Sequence, residues 1–366
     1  MPVAVVGDEK SCLMKAVPAN RKRNDRGRPT ARDVARLAGV SLATVSRALS
    51  NPDLVREDKV TAVRKAAEKL KYVMHGVGRA LSSRQTGLIG VILPTLEHAM
   101  WAKTIDALQR AVTNDGYTLA IACSDLNPDA ELELARRFIE HGTDGILLCG
   151  RSHRPELMQL FQNVAIPHVF MWAFEPSTMG KFVGFDDRKA VTLVVDHLVK
   201  LGHREIGTIT GPTNSEWQQT RRQWLVSEFQ RHNLRLRSEW SVSGPISFET
   251  GRNGARELLS QSERPTAIIC GQDILAVGVT AMCMEMGISI PADVSLTGFE
   301  DLDLVSNINP PLTTVRFPAA EIGTVSGAEI LRAIRGDVDS GQIELPISLV
   351  IRNTTASPSK KNSTLM

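Results

Sequence analysis

Long apolar runs are missing from this 366-residue chain, and none approaches the roughly 20 residues that a membrane-spanning helix needs. Its first residues, MPVAVVGDEKSCLMKAVPANRKRNDRGRP, hold no apolar stretch behind a basic one, so no secretory signal is read there, and Met14 offers an alternative start. Cysteine is sparse: Cys12, Cys123, Cys149, Cys270 and Cys283 are scattered, with no C-x-x-C pair to hold a metal or run a redox cycle. They read as small buried hydrophobes in a reducing compartment. Also absent are a G-x-G-x-x-G after a strand, a P-loop, an H-E-x-x-H and a nucleophile elbow. The eight histidines are dispersed, and His203 in LGHREIG reads as a structural turn residue. The expectation is a cytoplasmic protein without catalysis, cofactor, metal site or membrane contact.

What is present is an uneven distribution of charge. Residues 21–84 hold 16 Lys and Arg against 6 Asp and Glu, a balance of +10, which leaves −7 for residues 85–366 against a total of +3. A basic module joined to an acidic body points to a polyanion partner for the first part alone. At 366 residues the chain is long enough for two or three domains, each with its own core.

The basic module is punctuated clearly. Thr30 stands three residues before Asp33, the spacing of a capping box, and a first helix then runs to about Ala38. Gly39 supplies a left-handed turn, Val40 plugs the corner, and Ser41 caps a second helix from Leu42 to about Leu49. Val34, Leu37, Ala38, Val45 and Leu49 are predicted to be buried. A third amphipathic helix carries Val60, Val63, Ala67 and Leu70 on one face. Two short helices around a glycine turn in so basic a region form a helix-turn-helix, with an ordinary αα-hairpin bearing a solvated basic face as the alternative. In the first reading Arg47 reaches guanine edges, Thr44 and Ser46 hold phosphates or bases, and Leu42 and Ala43 meet thymine methyls. Thr30, Ser41 and Asn51 complete the candidate DNA-contacting set.

The run DVARLAGVSLATVSRAL at 33–49, with LKYV at 70–73, closely resembles the DNA-binding headpiece of the LacI/GalR family of bacterial transcription regulators. That resemblance extends from about Pro29 to Thr355 and implies that Leu42, Ala43 and Arg47 face bases. It further implies a hinge over 74–86 that becomes helical on operator DNA and wedges Leu81 into the minor groove. Here the chain departs from the family: Gly76 and Gly78 fall inside the hinge and Met74 stands where proline is common. Each glycine costs a helix about 1 kcal/mol relative to alanine, so a hinge disordered without DNA is predicted. The other reading of 74–86 is a plain flexible linker.

Beyond Thr86, short apolar runs alternate with amphipathic stretches. Strands are predicted at 88–93, 118–123, 145–149, 168–171, 206–210, 267–270 and 294–298, and helices at 102–114, 129–140, 188–201 and 273–285. Such alternation means doubly wound parallel sheets, and its extent calls for two lobes with a cleft at the carboxyl ends of the strands. LVKLGHREIG at 198–207, the stretch 274–301 and NPPLTTV at 309–315 look like family segments, whose body is similar to periplasmic sugar-binding proteins. The predicted organisation is a tail (1–28), a headpiece (29–73), the hinge (74–86), a two-lobed body (87–355) and a tail (356–366). The first lobe takes about 87–185 and 317–345, the second about 186–316 and 346–355.

For the cleft, resemblance and chemistry together single out seven residues. Arg221 in QQTRRQW matches an arginine that grips ligand hydroxyls or carboxylates. Glu300 and Gln272 stand where the family usually has aspartate and asparagine, one methylene shorter, which puts a hexose fitted in the usual way in doubt. Trp101 matches a ring-stacking aromatic, Trp172 and Phe185 match strand ends at the cleft, and Pro94-Thr95 resembles gluconate-type regulators. Each has a blander reading: Arg221 on the surface, Trp101 or Trp172 in the core, Glu300 and Gln272 supporting strand ends. Trp224 reads as core. The sequence thus predicts a homodimer, with a tetramer left open, that binds palindromic operator DNA and answers a sugar or sugar-acid effector. It is read as repressing a carbohydrate or sugar-acid pathway. A nucleobase-sensing regulator and a solute-binding protein are the alternatives.

Overall fold

The computed structural model describes residues 29–73, 85–174, 180–213, 215–337 and 341–359. The predicted tail at 1–28 and the hinge residues Met74, Gly76, Gly78 and Leu81 lie outside them. The described chain divides into two compact units that part between Gln85 and Thr86.

The first unit holds α1 (Ala31–Ala38), α2 (Leu42–Ser50) and α3 (Glu57–Lys69). Thr30 and Asp33 form the reciprocal capping box, and Gly39 ends α1 at φ +64° with its N–H on the Ala35 carbonyl. Ser41 caps α2 by accepting from Thr44 N–H at 3.1 Å. The core is small: Val34, Ala35, Val45, Ala48, Val60, Val63, Ala66 and Ala67. Leu37 is not in it. It is 46% exposed, because Ala35 and Ala38 take the inward side of the short α1 and leave Leu37 at its edge.

The second unit is built on two six-stranded sheets with the same winding. In the first lobe the strands are β1 (Leu88–Leu93), β2 (Thr118–Cys123), β3 (Gly145–Cys149), β4 (His168–Met171), β5 (Phe182–Gly184) and β11 (Gln342–Glu344), in the order β11-β5-β4-β3-β1-β2 and all parallel. In the second they are β6 (Ile206–Thr210), β7 (Ser241–Ser243), β8 (Ala267–Cys270), β9 (Ser295–Glu300), β10 (Thr313–Arg316) and β12 (Ser348–Val350), ordered β12-β10-β9-β8-β6-β7, with only β12 antiparallel. Strands such as LIGVIL and GILLC are buried almost throughout, as expected where helices cover both faces. The chain passes between sheets after β5, after β10, and between β11 and β12. The predicted strand at 294–298 lies at 295–300, and β5, β7, β10, β11 and β12 were not read from the sequence.

The helices are α4 (Ala99–Thr113), α5 (Pro128–Glu140), α6 (Pro155–Val164), α7 (Asp187–Lys200), α8 (Glu216–Arg231), α9 (Phe248–Leu259), α10 (Asp273–Met286) and α11 (Ala319–Ile334). Two pairs approach closely through glycine. A Cβ on Gly323 of α11 would lie 2.2 Å from the Thr104 carbonyl oxygen of α4, and one on Gly278 of α10 would lie 2.1 Å from that of Phe248 in α9. Only glycine permits those approaches.

Among the four described cysteines none is paired; Cys149, Cys270 and Cys283 are buried and Cys123 is half-buried on the edge strand β2. His203 is buried and clamps the C-terminal segment: Nδ1 pairs with Thr266 Oγ1 at 2.9 Å, and Nε2 lies 3.0 Å from Ser295 Oγ and 2.8 Å from the Ala356 carbonyl. Burial holds its pKa below the usual histidine value.

Candidate functional site

In the first unit, α2 presents Leu42, Ala43 and Arg47 to solvent, with Leu42 47% exposed; Thr44 and Ser46 are half-buried. An exposed leucine beside an arginine with no ion-pair partner among the described residues suits a surface that meets bases and backbone. The hydroxyls of Ser41 and Thr44 are 2.8 Å apart and engage each other, and that of Thr30 is held by Asp33 at 2.7 Å. These groups hold helix ends. Exposed Asn51 closes α2, its N–H on the Arg47 carbonyl at 2.7 Å. Leu81 lies outside the described residues.

In the second unit one cavity of about 340 Å³ lies between the lobes, and Thr95, Trp101, Trp172, Phe185, Arg221, Gln272 and Glu300 all line it. Each comes from where a doubly wound fold offers its ligand site: loops after β1, β4 and β5, the first turn of α4 and the second of α8, and the carboxyl ends of β8 and β9.

Arg221 is 5% exposed, which removes the surface reading. Its Nε and Nη2 donate to Asp187 Oδ1 at 3.1 and 2.6 Å, and Nη1 donates to the Gly271 carbonyl at 2.8 Å. The guanidinium also lies over the rings of Phe299 and Phe317, at 4.7 and 5.5 Å. Its charge is therefore already matched by Asp187. Four buried polar atoms around the cavity have no partner: Trp101 Nε1 and Trp172 Nε1, which donate, and Asp187 Oδ2 and Gln272 Oε1, which accept. Orphaned groups of this kind cost of order 1–3 kcal/mol each, a penalty that a ligand with matching donors and acceptors would remove.

The aromatic walls are inclined to one another. Trp101 meets Trp172 edge-on at 5.2 Å and 66°, and Trp217 at 6.2 Å and 53°, whereas Phe185 and Phe317 stack on each other at 4.4 Å. Trp101 and Trp172 are both buried and cavity-lining, so the core and ligand-facing readings of them coincide. Trp224, read from the sequence as core, is half-buried in the cavity wall, with Arg188 over its ring at 5.3 Å.

Two carboxyls near β9 are abnormal. Asp273 is wholly buried, accepts from Thr314 Oγ1 at 2.6 Å and Leu302 N–H at 2.9 Å, and is nonetheless pushed up to about 7, because burial outweighs both bonds. Glu300 is half-buried by area, and desolvation, reinforced by Asp273 and opposed by Arg221, pushes its carboxyl up to about 8. Backbone strain gathers here too: Trp172, Glu300 and Asp301 have φ of +62°, +117° and +56°. Such conformations persist only where surroundings enforce them, and Asp301 is held by Arg316 at 2.7 Å and Arg352 at 2.6 Å.

Asp187, Trp217 and Phe317 were missed from the sequence. Asp187 follows Phe185-Asp186 at the predicted crossover and Phe317 closes the second one, so proximity to a crossover was the available signal; Trp217 carried none. Among the described residues no cluster able to hold a metal occurs, and no helix is long and apolar enough to cross a membrane.

Comparison with known proteins agrees with this division. Residues 30–74 match the family described as bacterial regulatory proteins, lacI family, and residues 195–355 match a periplasmic binding protein-like domain. The chain is 30% identical over 330 residues to the HTH-type transcriptional repressor PurR of Yersinia enterocolitica, covering 89% of this chain and 97% of that one. Against the HTH-type transcriptional repressor CytR of Escherichia coli K12 it is 32% identical, covering 89% and 96%. Among solved structures, the lac repressor dimer bound to operator and the anti-inducer ONPF superposes with a TM-score of 0.80 at 25% identity, covering 90% of this chain and 99% of that one. The transcription regulator GntR from Chromobacterium violaceum gives 0.69 at 26% identity, covering 73% and 99%.

Proposed function

The chain belongs to the LacI family of bacterial regulatory proteins, and from that premise we propose that it is a repressor whose effector is a neutral, hydroxyl-bearing ring bound in the interlobe cavity. Family members are ligand-responsive, DNA-binding transcriptional repressors, not enzymes. In this reading two copies place their α2 helices in the half-sites of a palindromic operator, with Leu42, Ala43 and Arg47 towards bases and Thr44, Ser46 and Asn51 towards the backbone. Leu81 acts as the minor-groove wedge. Closure of the lobes on effector alters the spacing of the paired headpieces, and a coupling of about 1–3 kcal/mol changes operator affinity some 5- to 150-fold.

The observation that carries the effector class is the set of four orphaned polar atoms beside an arginine that Asp187 already neutralises. A hydroxyl both donates and accepts, so a polyol satisfies the two indole N–H groups together with Asp187 Oδ2 and Gln272 Oε1. A carboxylate would have to displace Asp187 from Arg221, whose Nε and Nη2 both already donate to that side chain. A neutral sugar therefore fits better than a sugar acid. The inclined indoles suit the C–H faces of a puckered ring; a flat nucleobase would call for parallel faces, which makes it the second reading.

The test is a thermal-shift and calorimetry panel of neutral sugars, sugar acids, nucleosides and nucleobases on the full-length protein, followed by the effect of any hit on salt-dependent operator retention. Neutral sugars are expected to raise the melting temperature. A response confined to acids overturns the effector class, and failure to retain any promoter DNA at low salt overturns the regulator.

A further inference from the structure

Where the loop after β3 meets the start of α8, a group of side chains bridges the two lobes. Arg151 Nε donates to Glu216 Oε1 at 2.8 Å, Arg151 Nη2 donates to Thr220 Oγ1 at 2.6 Å, and the Ser152 N–H donates to Glu216 Oε2 at 3.2 Å. Both charged partners are about two-thirds shielded, at 32% and 30% exposure, so the pair is screened less than a surface ion pair. Two further interlobe pairs among the described residues are more open: Lys103 with Asp303 at 3.0 Å has its carboxylate 90% exposed, and Lys189 with Glu344 has its lysine 58% exposed, so each contributes little. Beside the first bridge Trp217 approaches Trp101, and its ring lies 3.4 Å from where a Cβ on Gly150 would stand, at a residue whose φ is +99°. The left-handed backbone at Gly150, not the space beside the indole, is what calls for glycine here.

The same helix that carries Glu216 and Thr220 also carries Gln218 and Arg221 into the cavity. Five residues of α-helix span only about 7.5 Å and do not bend independently, so whatever fixes Glu216 fixes Arg221. We propose that Glu216, gripped by Arg151 and Ser152, is the positioning residue that holds the lobes closed and thereby sets where Arg221 meets the effector. It makes the closed arrangement a property of the chain itself, which a ligand then reinforces or opposes. The proposal rests on the reading of the cavity as an effector site.

All five tryptophans, Trp101, Trp172, Trp217, Trp224 and Trp240, lie in the second unit, so acrylamide quenching of the full-length, ligand-free and DNA-free protein reports on the lobes alone. Removing the charge with Glu216→Gln is expected to shift the closed-to-open ratio about tenfold towards open, the scale of one charge-assisted hydrogen bond, seen as stronger quenching and red-shifted emission. Thr220→Val moves the same way by less, and carries the test if a charge variant does not fold. The exchanged pair Arg151→Glu with Glu216→Arg returns quenching towards wild type, whereas either reversal alone stays open. A merely structural role would not show that rescue. Unchanged quenching in Glu216→Gln, or in a folded Arg151→Gln, overturns the proposal; the exchanged pair recovers only in part, because an arginine at position 216 cannot accept from the Ser152 N–H. None of these readouts uses DNA or effector, so loss of operator binding would sink the regulator reading and leave this one standing.

Discussion

The first lobe lines the cavity with Trp101, Trp172 and Phe185, whereas every carboxylate lining it, Asp186, Asp187, Glu216 and Glu300, comes from the second lobe, although the two sheets share one strand order. A common scaffold has thus been given different chemistry: aromatic rings come from both lobes, since α8 adds Trp217 and Trp224, but the carboxylates come from the second alone. If the cavity holds the proposed effector, its aromatic side chains would attract a ring of suitable size and fix its plane weakly, while Arg221 and Gln272 would fix which atoms must donate and accept. In the proposed effector reading, discrimination between ligands would rest mainly on the polar groups of the second lobe.

The largest effect expected on breaking this contrast comes from Arg221→Ala, which leaves the Asp187 carboxylate without its charge partner. Urea denaturation should show a loss of roughly 3–5 kcal/mol, and replacing both partners by Met and Leu should recover most of it, since two apolar groups leave no orphaned charge. The next is a dependence on pH. Asp273 and Glu300 retain protons in the folded state at pH values where the unfolded chain has lost them, between their ordinary values of 3.8 and 4.5 and about 7 and 8. The folded state then binds more protons, so this stabilisation is fully present below about pH 4 and is lost progressively as pH rises through 7 and 8. Asp273→Asn should flatten the slope with little loss of stability at low pH, because its amide oxygen can accept from the Leu302 N–H while its nitrogen donates to the Thr314 hydroxyl. An unfolding midpoint that rises from pH 5 to 8 would contradict the assignment.

Smaller changes separate ligand recognition from stability. Gln272→Met deletes an unsatisfied buried oxygen and should change ligand-free stability by less than about 1 kcal/mol, while weakening the panel's best binder about tenfold. Trp101→Phe removes only an orphaned N–H and some area from the aromatic wall. It should leave the unfolding midpoint nearly unchanged and lower affinity by a few-fold, with no change in which ligand of the panel is preferred. A switch of preference caused by Trp101→Phe and not by Gln272→Met would reverse the roles assigned to the aromatic and polar groups.

Local chemistry was the most legible part of the sequence. The capping box at Thr30 and Asp33, the left-handed Gly39 and the Ser41 cap are short-range devices, and the structure shows all three. Buried strands such as Leu88–Leu93 announced themselves as apolar runs, but β5, β7, β11 and β12 have three residues each, too few for a periodicity to register. Leu37 misled because an eight-residue helix has room for few inward positions and two alanines took them. In the cavity, Arg221, Trp101 and Gln272 came from a family pattern, while Asp187 and Glu216 matter only through partners 34 and 65 residues away, a relation that no local window contains.

The glycine contacts within each lobe have a mechanical consequence. With the backbones of α9 and α10 touching through Gly278, and those of α4 and α11 through Gly323, neither layer can be compressed or sheared without van der Waals overlap. In the proposed closure each lobe would then turn as a stiff plate, so that a stroke at the three crossovers would reach the far end undiminished instead of being absorbed as soft deformation on the way.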